Sequence, residues 1–377
     1  MRILLLADCT SAHTQKWVSG LHAAGVELAV FSLTQPKYTD FWTQLPDVQL
    51  FTIADFMERS VFSGGVFRKL AYLKVLPALR KAIKKFQPDV VHAHYATSYG
   101  LLGALAGFQP YIISVWGSDV FDFPQQYWFG KYLLRYNLRK ASRVCSTSQI
   151  MARETQLYTD KKIEVVAFGI DTEVFKPMPR EATKFTTIGL VKRMEDKYGI
   201  RYLIAAFRIV LQKYDNPNLR LLLVGDGVQT AEYQALTVEY GIADKVVFQG
   251  LVPFSEVPYW QNQMDIYVSP SILDSESFGV SALEAMACER PVIVSAVGGL
   301  QEVVWHSENG LHVPPRNAEA LAEAILRLLN DAAFAQQLAV AGRKWVKNRY
   351  EWRDNVARMM AIYEEEDLFF NKKSRLK

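Results

Sequence analysis

Short apolar runs that alternate with longer amphipathic ones constrain this chain more than any other feature, because that rhythm marks parallel sheets joined by crossover helices. In the first half, strands are expected over 2–7, 27–33, 90–92, 111–115 and 144–146, with helical patterns between them, for instance over 15–24 and 126–140. In the second half they fall over 186–190, 220–224, 246–248, 266–269, 292–294 and 311–313, with helices over 200–214 and 318–329. Between the halves, Phe168-Gly169-Ile170-Asp171 leads to Phe175-Lys176-Pro177-Met178-Pro179, a stretch without periodicity that reads as a linker. The expected architecture is α/β, with two Rossmann-like, doubly wound domains over 1–175 and 176–351. Such domains face each other across a cleft outside the carboxyl ends of their sheets, where ligands bind. A closing helical pattern over 352–377 is free to pack back on the first domain.

Composition narrows the function. A length of 377 residues suits two cores rather than one. The 43 Lys+Arg against 39 Asp+Glu give a net charge of +4, too small to point to nucleic acid as a partner. Cys9, Cys145 and Cys288 lie far apart and form no CxxC, so neither a disulfide framework nor a structural zinc site is expected, and a reducing cytoplasm fits. The opening Met1-Arg2-Ile3-Leu4-Leu5-Leu6-Ala7-Asp8 is too short and too soon interrupted by an acid for a signal peptide. The longest weakly polar stretch, 100–117, is broken by Gln109-Pro110 and reads as helix, turn and strand rather than a membrane span.

The chemistry concentrates in the second half. Asp274-Ser275-Glu276-Ser277-Phe278-Gly279-Val280 precedes Ser281-Ala282-Leu283-Glu284, and a helix should begin near Phe278–Gly279. The first N–H groups of a helix have no internal partner and attract an anion, and Gly279 leaves room for one. Two acceptor-only carboxylates, Glu276 and Glu284, beside a phosphate site make sense if they bind sugar or ribose hydroxyls. Spacing alone equally permits a capping Glu276 and a solvated Glu284. After the first strand of that half, Lys192-Arg193-Met194-Glu195-Asp196-Lys197-Tyr198-Gly199 offers Arg193 and Lys197 as counter-charges for a diphosphate, or else as a solvated turn paired with its own acids. Gly225-Asp226-Gly227 and Gly298-Gly299 are further tight turns, weak signals when taken singly, and no phosphate-binding GxxxxGK[ST] element occurs.

An ordered series of motifs then resembles the retaining glycosyltransferase family 4 (glycosyl transferases group 1), which has the GT-B fold. The series is VVHAHY (90–95), WGSDV (116–120), FGIDTEVF (168–175), KRMEDKYG (192–199), LLVGDG (222–227), ESFGVSALEAMA (276–287), PVIVSAVGGLQEVV (291–304), NGLHVPP (309–315) and a closing EWRD (351–354). The resemblance implies a retaining, metal-independent hexosyltransferase using a nucleotide-diphosphate sugar, of UDP or GDP type, held on the second domain. By position, Glu276 would bind donor-sugar hydroxyls and Glu284 the ribose. Gly225 and the backbone of Ser277, Phe278, Gly279 and Val280 would meet sugar and phosphate oxygens, while Arg193 and Lys197 would neutralise the departing diphosphate. In two places the chain departs from the family. Tyr198 stands where a lysine often precedes the glycine, and Trp116 stands where many members have histidine, a W-G-S-D form like that of a bacterial subgroup.

Trp116 would stack on a sugar or pack behind its loop, leaving polar work on the acceptor side to His13, His94 and Asp119. Alternation puts His92 and His94 on one face of a strand, with His92 expected to be structural. No third ligand accompanies them, no DxD triplet occurs, and no metal or other cofactor is expected. Three alternatives use the same fold: a sugar-nucleotide epimerase, a glycan phosphorylase, for whose pyridoxal lysine the sequence offers no sign, and a non-catalytic partner subunit. Residues 1–175 carry 19 Lys+Arg and 14 Asp+Glu, so the basic excess lies in the acceptor-side half. Lys74, Arg80, Lys81, Lys84 and Lys85 share one helical face, and Phe121, Phe123, Tyr127, Trp128 and Phe129 precede Lys131, Arg135, Arg139 and Lys140. Core packing and a solvated face would explain both; peripheral docking on an anionic cytoplasmic membrane, with a glycan or lipid-linked acceptor, is the sharper expectation.

Overall fold

The computed structural model describes residues 1–36, 40–53, 66–180 and 183–375 and contains two α/β units. The first comprises Met1–Phe168 with Arg353–Lys377, and the second Gly169–Trp352; residues 376–377 of the expected closing segment lie outside the described residues.

In the first unit, strands β1 (Arg2–Leu6), β2 (Glu27–Ser32), β3 (Gln49–Thr52), β4 (Val90–His94), β5 (Tyr111–Val115), β6 (Arg143–Ser146) and β7 (Ile163–Val165) form one sheet in the order β3-β2-β1-β4-β5-β6-β7. In the second, β8 (Thr186–Val191), β9 (Leu219–Val224), β10 (Val246–Gly250), β11 (Ile266–Ser269), β12 (Val292–Ser295) and β13 (Leu311–Val313) follow the order β10-β9-β8-β11-β12-β13. Neighbouring strands pair in parallel; for example, β1 sets Leu4 against Ala29 on one side and Val91 on the other. Helices cover both faces, so β1, β4 and β5 are buried almost throughout, and this is why they read as unbroken apolar runs. Helix Ile200–Lys213 shows the complementary pattern: Ile200, Leu203, Ile204, Phe207 and Val210 are buried at helical spacing against helix Ala318–Asn330. The latter starts at Asn317, whose side chain accepts from Ala320 N at 2.8 Å, a cap worth about 1 kcal/mol.

Strand order reverses between β1 and β4 and again between β8 and β11, and the loops leaving these four strands frame the two switch points.

Three boundaries differ from the sequence reading. Strands β3 and β7 have no alternating pattern long enough to announce them; each is a short, half-buried addition beside an existing strand. The helix expected over 126–140 is two pieces, Phe123–Gln126 and Gly130–Lys140, because Tyr127 is extended (φ −131°, ψ 135°). The division between the units falls at 168, not 175. Ile170 N donates to Tyr350 O (2.6 Å), Trp352 N returns a bond to Ile170 O (2.9 Å), and Thr172 Oγ1 donates to Glu351 Oε2 (2.6 Å), tying 170–172 to the end of the second unit. Helix Trp352–Arg375 then belongs to the first unit, where Tyr363 is buried and Glu366 accepts from Arg143 Nε at 2.9 Å. Among the described residues, no helix is long and apolar enough to cross a membrane.

Candidate functional site

At the β8/β11 switch point the loop after β8 meets the loop after β11 through charge. Lys192 Nζ donates to Glu276 Oε2 at 2.6 Å, and both side chains are nearly buried, with 12% and 10% exposure. Ser271 Oγ donates to the same oxygen at 3.1 Å. Burial disfavours the Glu276 carboxylate, but Lys192, Ser271 and the more distant Lys197 outweigh it and hold its pKa below the usual range. Two ammonium groups from the preceding residues approach the Tyr198 ring: Lys192 Nζ lies 4.7 Å and Lys197 Nζ 4.8 Å from its centroid. Lys197 also pairs with Glu195 at 3.6 Å; partial burial works against its charge, and Tyr198, Glu195 and Glu276 more than offset this, raising its pKa. Arg193 differs: its side chain is 73% exposed and its partner is Glu195, at 3.1 Å.

Glycines let these loops lie on one another. Gly225, at φ +129°, ends β9 so close to the Lys192 carbonyl that any Cβ would run into it. Gly298 and Gly299 sit directly on the 274–277 backbone: Gly299 N donates to Glu276 O (2.8 Å), Gly298 N donates to Asp274 Oδ1 (2.9 Å), and a Cβ on Gly299 would strike Ser277 O. The backbone carrying Glu276 is thus fixed from below. Gly279 caps helix Val280–Ala287, placing Ser277 and Phe278, both buried, just ahead of the helix and Glu284 one turn inside it. Glu284 is 5% exposed, which removes the solvated alternative that spacing had left open.

The β1/β4 switch point is different. A cleft of about 450 Å³ opens there, with walls that include Asp8, Ser11, His94, Tyr95, Trp116 and Tyr127. His94 is buried, its Nδ1 has no hydrogen-bond partner among the described residues, and its ring lies 4.7 Å from that of His92 and 4.6 Å from that of Trp116. Burial, with His92 and His13 nearby, pushes its pKa well down, so the imidazole is neutral. Trp116 also meets Phe168 edge-on at 5.2 Å, and His13 stacks on Phe168 at 4.3 Å. Trp116 therefore packs among rings and lines the cleft at once.

His92 is fully engaged: Nδ1 shares a hydrogen bond with Tyr363 Oη (2.6 Å) and Nε2 with Ser114 Oγ (2.8 Å), and burial depresses its pKa to about 3. Asp119 needs correcting as a group able to meet an acceptor. It is wholly buried, its Oδ2 accepts from Ala96 N (2.7 Å), and its Oδ1 accepts from Gly117 N (2.8 Å) and Trp116 N (3.1 Å). Burial raises its pKa, against which these N–H bonds pull down. Asp119 shapes the loop that presents Trp116.

Sequence reasoning missed Lys192, although it stood in a quoted motif, because it favoured the arginine beside it. The available signal was proximity to the strand: β8 ends at Val191, and Lys192, the next residue, still donates its N–H to Val224 O of β9 at 3.0 Å, whereas Arg193 lies one residue further out. Among the described residues, no group of three or more His, Cys, Asp or Glu side chains is arranged to hold a metal ion.

Comparison with known proteins fits this geometry. Residues 171–345 match the family of glycosyl transferases group 1, and residues 2–148 match the glycosyl transferase 4-like family, leaving little beyond the inter-unit stretch and the closing helix unmatched. Each half of the chain thus matches a glycosyltransferase family model, and the fold is of the GT-B kind. An uncharacterized glycosyltransferase of Methanocaldococcus jannaschii is 36% identical to it over 168 residues, 45% of this chain and 42% of that one. A GDP-mannose-dependent α-(1-6)-phosphatidylinositol monomannoside mannosyltransferase of Mycobacterium tuberculosis is 29% identical over 215 residues, covering 53% and 55% of the two chains. The alignment thus spans about half the length of each of these relatives. In fold, the chain is similar to HepE of Anabaena, crystallised with UDP, at a TM-score of 0.78 and 19% identity over 97% of this chain and 100% of that one.

Proposed function

We propose that the protein transfers a sugar, with retention at the anomeric carbon, from a nucleotide-diphosphate donor to a hydroxyl of a glycan or lipid-linked acceptor. The observation that carries this reading is the buried, charged Lys192–Glu276 pair ahead of helix Val280–Ala287. A carboxylate held ionised beside cations and a helix N-terminus suits a ligand offering hydroxyls and phosphate together. Glu276 binds donor-sugar hydroxyls, Glu284 the ribose, and the N–H groups of 277–280 the phosphate oxygens. Lys197, with Arg193 at the rim, takes up negative charge as the diphosphate leaves. The leaving phosphate oxygen accepts the acceptor's proton while that acceptor oxygen bonds to the anomeric carbon on the same face. The protein then has no need of a strong base or a metal; its tasks are charge stabilisation and exclusion of water.

The acceptor hydroxyl is held in the β1/β4 cleft, where neutral His94 offers a ring nitrogen and Trp116 a ring face. Use of Trp116 in place of histidine also supports assignment to the W-G-S-D subgroup. The two relatives are named for a GDP-sugar and crystallised with UDP respectively, so either base fits.

Calorimetry tests the assignment. A nucleoside diphosphate should bind to wild type and to Glu276→Ala but more weakly to Glu284→Ala, whereas Glu276→Ala should lose use of the intact sugar donor. Equal nucleotide affinity in all three proteins would remove the ribose role of Glu284. Activity should persist in excess EDTA, and NMR of the product should show retained anomeric configuration; an epimerised free nucleotide sugar would replace transfer by epimerisation.

A further inference from the structure

Among the described residues of the first unit, the segment that forms one lip of the β1/β4 cleft also has the most exposed large aromatics. Tyr127 and Phe129 line the cleft. Between and beyond them, Trp128, two residues ahead of helix Gly130–Lys140, is 83% exposed, and Tyr132, in the first turn of that helix, is 70% exposed. Phe123, which the sequence grouped with them, is buried instead. From 123 to 153 the chain has no Asp or Glu, yet it includes Lys131, Arg135, Arg139, Lys140, Arg143 and Arg153. Among the described residues only Arg143 of these six is paired with carboxylates, namely Glu164, Glu365 and Glu366. The first four are exposed.

The basic surface is broad. Helix Val66–Phe86 packs beside Tyr99–Ala106, which packs beside Gly130–Lys140, so the exposed Lys74, Arg80, Lys81, Lys84 and Lys85 lie on the same side of the sheet. Breadth favours an extended anionic surface over a single anionic chain. Exposed Trp and Tyr, apolar in body and polar at the tip, suit the boundary between headgroups and acyl chains. Helix direction separates the two basic groups: Lys84 and Lys85 are in the last turn before β4, at the sheet end away from the cleft, whereas Lys131 and Arg135 lie in the first half of the helix that leaves the cleft's lip.

We infer that the face carrying Trp128, Lys131, Tyr132 and Arg135 docks the protein on an anionic lipid bilayer and sets the mouth of the β1/β4 cleft at headgroup level. The inference rests on that cleft being the acceptor site, and it selects the lipid-linked class of acceptor. Each base near an anionic bilayer strengthens partitioning about fivefold, so a few unpaired ones suffice for reversible docking.

Sedimentation with vesicles of phosphatidylcholine alone, or mixed with phosphatidylglycerol, at low and high salt tests it. Binding should require the anionic lipid, weaken with salt and fall at least about tenfold in Lys131→Glu/Arg135→Glu. Brominated lipid should quench protein fluorescence, and Trp128→Phe should remove most of that quenching. Absence of sedimentation at low salt, or sedimentation that neither change alters, would overturn the proposal. So would retention by heparin without vesicle binding, which would make the partner a soluble anionic polymer. Nucleotide calorimetry on the same proteins reports separately on the transferase reading: all the variants here should bind the nucleoside diphosphate as wild type does.

Discussion

At the β8/β11 switch point the side chains are charged and paired, Lys192 with Glu276 and Lys197 with Glu195; at the β1/β4 switch point Trp116 packs between neutral His94 and Phe168. Both occupy the same place in the same topology, so the strand order explains where a ligand binds and not what kind. The chemistry comes from the loops. A charged site needs its carriers fixed closely, because ionic attraction in a partly dry environment repays desolvation only at good geometry, and Gly225 and Gly298–Gly299 supply that fixing through backbone contact. A ring-lined site tolerates looser loops, since stacking and dispersion are spread over many atoms.

The largest effect expected from breaking this contrast is at Lys192. Lys192→Ala should leave Glu276 buried without its partner and lower unfolding stability by about 3–5 kcal/mol, whereas adding Glu276→Gln should recover much of the loss. Urea titrations of the two single variants and the double variant measure the coupling. Additive losses would mean that the pair is not the organising contact of that site.

Next in size is the division between the two other cations. Lys197→Ala should reduce turnover about a hundredfold, equivalent to ~3 kcal/mol of barrier, as expected for losing one stabiliser of developing charge. Arg193→Ala should cost less than about tenfold, since its side chain is largely exposed and already engaged by Glu195. Steady-state kinetics with a saturating donor compare them, and an arginine effect larger than the lysine effect would reverse the assignment.

The smallest effect sharpens the neutral side. An unfolded imidazole titrates near 6.5 and folded His92 at about 3, so on acidification the unfolded chain takes up the proton first. The stability that His92 contributes is complete above pH 6.5 and drains away as pH falls toward 3, at about 1.4 kcal/mol per unit. His94, depressed in the same direction, adds to the slope. Melting temperatures across this window should fall less steeply in His92→Gln. Matching slopes would show that the imidazole does not titrate as its burial demands.

The sequence by itself determined the two-sheet architecture, because strands buried on both faces must be apolar throughout and crossover helices must be apolar on one side. It also determined the loops of the second unit, whose glycines are required by backbone approaches that no other residue permits. What it left open were choices made between segments distant in the chain. The short edge strands β3 and β7 are composed of residues that favour extension, but QLFT and IEV are too short to show a period, and they become strands where a neighbouring edge offers them hydrogen bonds. Lys192 rather than Arg193 faces Glu276 because the two loops meet across 84 residues of sequence. Asp119 is occupied by Ala96, Gly117 and Trp116 amides, and His92 by Tyr363 from the closing helix, 271 residues away. Periodicity records which side of an element is apolar; only packing decides which polar group finds a partner, since a buried donor or acceptor must be satisfied by whatever the fold brings within reach.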